Sequence, residues 1–166
     1  MPISDGPNGG NGERATPRPY SVSIPPVLIA DDDEENRTTM RLLLEEEGYA
    51  VIEAAGGHAA LGILRAPEPP RVIAVLDLLM RNGTGFDVLA AVAKEPALAE
   101  RHAYIVCSAH KREPKAIGPH FAALLHRLAI PFVPKPYDIE ALAAVVAQAS
   151  RRLAVAQRPW TANDTA

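Results

Sequence analysis

A chain of 166 residues with a single cysteine has no disulfide framework, and its length suits one domain that buries a core without cross-links. A net charge of −3 and a pI near 5.9 leave no basic surface for neutralising phosphates, so no nucleic-acid partner is expected. No apolar run approaches the roughly 20 residues that cross a bilayer, and Met1 to Tyr20 lacks the apolar stretch of a signal peptide, which reads as a cytoplasmic chain without membrane contact.

Residues 1–24 are rich in Gly, Pro, Ser and Asn with balanced charges, and so little can be buried that a disordered tail is expected. Pro25-Pro26 end it, and Val27-Leu28-Ile29-Ala30 read as a first strand running into Asp31-Asp32-Asp33. From Glu35 the apolar period becomes 3.6, with Met40, Leu43 and Leu44 on one helical face that Gly48 ends. Tyr49 to Ile52 follows as a second strand and Gly57 to Leu64 as a short helix, closed by Pro67, Pro69 and Pro70. Val72 to Leu76 is continuously apolar and β-branched, like a strand covered on both faces, and it ends in Asp77. Beyond Gly83 and Gly85, Phe86 to Val92 makes a third helix stopped near Pro96. Tyr104 to Cys107 is a fourth strand ending in Ser108, within which Cys107 reads as a small buried residue. His110 to Gly118 is polar and contains Pro114, so a loop or frayed helix is expected there. Pro119 suits the first turn of a fourth helix lined by Phe121, Leu124, Leu125 and Leu128. Ile130 to Val133 is a short fifth strand whose Pro131 argues for a sheet edge. After Pro134-Lys135-Pro136, Asp138 caps a last helix that turns Leu142, Val145, Val146 and Leu153 to the sheet. Five strands alternating with five helices predict an α/β three-layer sandwich with a five-stranded parallel sheet, its folded domain at 25–154 and a polar tail at 155–166.

Polar groups stand at four strand ends: Asp31 and Asp32, Asp77, Ser108 and Lys135. In a parallel sheet those ends lie together, at the edge where open α/β sheets bind ligands. Three carboxylates in one pocket repel one another unless a cation neutralises them, and carboxylate with water suits a hard ion such as Mg²⁺. Each residue also has a structural role open to it. Asp77 can serve a turn, Asp31 to Asp33 can lead a helix, Lys135 can form an ion pair, Ser108 can bond within a turn, and Phe132 can pack in the core. A calcium EF-hand is excluded, because the places for Gly and Glu counted from Asp31 hold Asn36 and Leu42.

Four separated motifs carry a family resemblance: Leu28-Ile29-Ala30-Asp31-Asp32-Asp33 with Arg37, Val75-Leu76-Asp77-Leu78-Leu79-Met80 with Gly85, Val106-Cys107-Ser108-Ala109, and Phe132-Val133-Pro134-Lys135-Pro136. In this order, over about Val27 to Leu153, the sequence resembles the receiver domain of two-component response regulators, the CheY-like family. The resemblance implies a flavodoxin-like strand order, 2-1-3-4-5. It implies that Asp77 accepts a phosphoryl group from a phosphohistidine and that Asp32, Asp77 and the backbone carbonyl of Leu79 hold Mg²⁺, with Asp31 supporting the ion through water. Lys135 matches the lysine that meets the phosphoryl oxygens, Ser108 the hydroxyl that turns toward them, and Phe132 the aromatic that turns inward with it. The implied partners are a sensor histidine kinase or histidine phosphotransfer protein and a downstream protein target, for a monomer or weak homodimer that is no enzyme beyond its own phosphorylation and dephosphorylation.

The sequence departs from the family at three places. Arg81-Asn82 stands where Pro-Gly is frequent, Ser108 and Lys135 are 27 positions apart (135 − 108), and Leu128-Ala129 replaces the usual Gly-Ala before the fifth strand. After Lys135 there is room for one helix and a tail, so output through a protein contact or onward phosphoryl transfer is expected. A phosphorylation-independent interaction module is the competing reading, against which the retained Asp32, Asp77, Ser108 and Lys135 argue. A haloacid-dehalogenase-type phosphatase would need an Asp where Leu79 stands.

Overall fold

The computed structural model describes residues 24–68, 71–109 and 117–155. In chain order the elements are β1 (Val27–Ala30), α1 (Glu34–Glu46), β2 (Val51–Ala54), α2 (Gly57–Arg65), β3 (Ile73–Leu76), α3 (Gly85–Lys94) and α4 (Pro96–Arg101). They are followed by β4 (Ala103–Ser108), α5 (Pro119–Arg127), β5 (Phe132–Pro134) and α6 (Ile139–Val155). The sheet is parallel throughout, in the order β2-β1-β3-β4-β5, as expected, and Pro131 and Pro134 flank or end an edge strand, where a missing amide costs no ladder bond.

Alternation along the strands divides the core into two layers. Val27, Ile29, Ile73, Val75, Ile105, Cys107 and Val133 pack with Met40 and Leu44 of α1 and Leu142 and Val146 of α6. Leu28, Ala30, Ala74, Leu76, Tyr104 and Val106 face Leu64 of α2, Val88, Leu89 and Val92 of α3, Leu98 of α4 and Leu125 of α5. Both faces of the central strands are therefore dry, which is why β3 reads as an unbroken apolar run.

Most elements lie within one or two residues of the sequence reading, and three differences have a physical cause. β2 begins at Val51, not Tyr49, because Gly48 (φ 86) and Tyr49 close α1, donating to the Glu45 and Leu44 carbonyls. β5 begins at Phe132, not Ile130, for the same reason: Ala129 (φ 51) and Ile130 donate to His126 and Leu125 at the end of α5. The third helix ends at Lys94, near Pro96 as read, but Pro96 also opens a further short helix, since Glu95 is extended and proline needs no amide partner in a first turn, so six helices rather than five are present among the described residues. The tails expected at 1–24 and 155–166, apart from Ile24 and Val155, and the polar stretch at 110–116 lie outside the described residues.

Candidate functional site

Register places the site. Ala30 pairs with Leu76 across β1 and β3, so Asp31 and Asp77 leave the sheet side by side, where the connections turn in opposite directions. Ser108 pairs with Pro134, and the Lys135 amide donates to the Ser108 carbonyl at 3.0 Å. Asp31, Asp77 and Lys135 each continue the alternation that aims Ile29, Val75 and Val133 at the α1 and α6 layer. Lys135 Nζ donates to Asp31 Oδ2 at 2.5 Å and to Asp77 Oδ2 at 3.3 Å. Burial alone lowers the Lys135 pKa, but the bond to Asp31 and the charges of Asp77 and Asp31 outweigh it and hold the ammonium above its ordinary value. Beneath this triad burial pushes the Cys107 thiol up to about 12, so it is no nucleophile.

The remaining contacts orient the carboxylates. Asp77 Oδ1 accepts from the Leu78 amide at 2.7 Å and the Leu79 amide at 3.5 Å, leaving the Leu79 side chain half exposed beside it. Asp31 Oδ1 accepts from Asp33, Arg37 Nη1 bonds the Asp31 carbonyl at 2.9 Å, and Asp33 caps α1 through the amides of Glu35 and Asn36. Asp32 takes a different partner: Arg81 Nε at 2.8 Å and the Arg81 amide at 3.3 Å, both on Oδ2. The Arg81 hydrogen bond holds its carboxyl below the usual range. Gly85 allows the β3 to α3 turn, since a Cβ there would stand 2.2 Å from the Asp77 carbonyl oxygen. Ser108 is buried at the end of β4, and Phe132 is half buried against the α3 and α5 side.

Thus Asp31, Asp77 and Lys135 meet directly, with the Ser108 backbone bonded to Lys135, while Asp32 turns to Arg81. Among the described residues no three acidic, His or Cys side chains stand together as ligands for one ion. Lys135 and Arg81 of the chain itself pair with the carboxylates of Asp31, Asp32 and Asp77 and relieve part of their mutual repulsion. The donors still suit Mg²⁺, which needs only one or two carboxylates and keeps several waters: Asp32 and Asp77 with the Leu79 carbonyl are hard oxygen donors. Arg81, Arg37 and Tyr137 were not singled out as site residues by sequence reasoning. Tyr137 borders the triad and burial raises its pKa, and only the departure at Arg81-Asn82 pointed toward this loop.

A family profile described as the response regulator receiver domain matches residues 27–147. The chain belongs to this family. Solved structures agree on the fold of this receiver domain. The receiver domain of a Francisella response regulator is 24% identical, with a TM-score of 0.64, over 77% of this chain and 98% of its own. A CheY-like receiver domain protein from Methanospirillum hungatei is 19% identical, with a TM-score of 0.63, over 79% and 97%. The receiver domain of a signal transduction histidine kinase from Syntrophus aciditrophicus is 22% identical, with a TM-score of 0.62, over 82% and 96%. None of the curated proteins matches the sequence. No helix among the described residues is long and apolar enough to cross a membrane.

Proposed function

We propose that this receiver domain is a phosphoacceptor: an oxygen of the Asp77 carboxylate attacks the phosphorus of a phosphohistidine on a sensor kinase or phosphotransfer protein. A P–O bond forms as the P–N bond breaks, and the imidazole leaves with the electron pair. The observation that carries the reading is the Lys135 ammonium 3.3 Å from Asp77 at the mouth of the sheet, because transfer depends on positioning and on cancelling charge over the phosphoryl oxygens. Lys135 supplies one positive charge, and to meet a phosphoryl oxygen it must loosen its contact with Asp31. The Leu78 and Leu79 amides hold Asp77 Oδ1, which aims the carboxylate. Asp32, Asp77 and the Leu79 carbonyl would hold Mg²⁺, with Asp31 behind them, and the bound ion would add charge neutralisation. Ser108 and Phe132 are the residues through which the phosphorylated state reshapes the surface that meets a downstream protein, in a domain that catalyses nothing beyond its own phosphorylation and dephosphorylation.

Incubation with phosphoramidate and Mg²⁺, followed by intact-mass measurement, tests this reading. One added phosphoryl group that is lost to hydroxylamine and fails to form in EDTA is the expected result. An unchanged mass would favour the phosphorylation-independent interaction module.

A further inference from the structure

The cations of this site are divided unequally. Lys135 is nearly enclosed and spans two carboxylates, with side-chain exposure of 12% against 4% for Asp31 and 14% for Asp77. Arg81 is 82% exposed, and among the described residues its side chain has no ion-pair partner other than Asp32. Asp32 is therefore the one acid of the three whose counter-charge can leave for solvent without burying or stranding anything.

The backbone around Arg81 is held while its side chain is not. His58 and Gly57, at the start of α2, donate to the carbonyls of Asn82 and Gly83 at 3.1 and 2.8 Å. Gly83 has φ 80, with the His58 ring in the space a Cβ would need. Opening the pair then requires only rotation of the Arg81 side chain, and the Arg81 amide stays to hold Asp32 in place.

We infer that Arg81 is a tethered competitor for the cation at Asp32, a residue that sets how tightly this receiver binds Mg²⁺ by pairing with the carboxylate that would hold the ion. The inference rests on the proposed ion site. An exposed pair of this kind shifts an equilibrium only a few-fold, and the guanidinium adds repulsion toward a divalent cation. Loss of both should tighten Mg²⁺ binding roughly fivefold. Because Arg81 is open to solvent, salt should screen its effect, so the gap between parent and variant narrows as ionic strength rises.

Calorimetric titration of the full chain with Mg²⁺ alone, with no phosphodonor, compares the parent with Arg81→Ala and Arg81→Lys. The dissociation constant should fall about fivefold in Arg81→Ala, with Arg81→Lys between the two, and this gap should shrink in high salt. Equal or weaker binding by Arg81→Ala overturns the role of Arg81 alone. Absence of binding in both parent and variants overturns the ion site and this inference with it, while phosphorylation of Asp77 is judged separately by mass.

Discussion

At the scale of single residues the site is a charge arrangement, and each side chain is replaceable with a different expected loss. Lys135→Ala would leave Asp31, which is 4% exposed, facing Asp77 without the ammonium between them. Removing one partner of a buried pair strands the other charge, and a cost of about 3 kcal/mol is expected in chemical denaturation. Adding Asp31→Asn should recover part of it, and equal stability of parent and Lys135→Ala would show that the pair is not holding the site. For Leu79 the expected effect is on the lifetime of the proposed acyl phosphate. This side chain is half exposed beside Asp77 and cannot orient a water, so the phosphorylated form should decay slowly for a receiver. Leu79→Asn should speed decay roughly tenfold, equivalent to about 1.4 kcal/mol in barrier. Loss of phosphoryl label after donor removal measures it, and equal rates would place the gate elsewhere.

At the scale of elements the strands and helices were legible wherever a segment's own periodicity decided it, and the misplaced boundaries lie where one element borrows from the next. Tyr49 and Ile130 look like strand residues, yet their amides close the preceding helices. Composition cannot show that a bond has already been spent. The site was readable in the same measure: Asp31, Asp77 and Lys135 follow strands whose register brings them together, whereas Arg81 reaches Asp32 from a loop that no periodic pattern describes. The two helix ends also differ in a testable way. Gly48 adopts φ 86 freely, but Ala129 adopts φ 51 with a Cβ that disfavours it. Ala129→Gly should therefore stabilise the domain by about 1 kcal/mol, read as a raised denaturant midpoint with an unchanged slope. No gain would mean that the entropy glycine adds to the unfolded chain cancels the relief.

At the scale of the whole molecule the two edges of the sheet carry different groups. The amino edge is anchored by buried His102, whose Nδ1 accepts from the Val72 amide at 3.1 Å while Nε2 donates to the Leu64 carbonyl at 3.0 Å. Burial lowers its pKa, and the charges of Arg101 and Arg71 add to this against the Leu64 bond. Below the unfolded value of about 6.5 the unfolded chain takes up a proton that the folded chain resists, so stability falls with decreasing pH in that window. Denaturation profiles of parent and His102→Gln should diverge there, with the variant flatter, and parallel profiles would remove His102 from the pH dependence. The carboxyl edge carries Asp31, Asp32 and Asp77, and the proposed function stands on one of them. Peptide mapping after phosphoramidate treatment, on the parent, Asp77→Asn, Asp31→Asn and Asp32→Asn, decides which. Label confined to the peptide bearing Asp77 and abolished only by Asp77→Asn is the expected result, with slower labelling of the other two variants. Label retained by Asp77→Asn, or mapped to another residue in the parent, would contradict it.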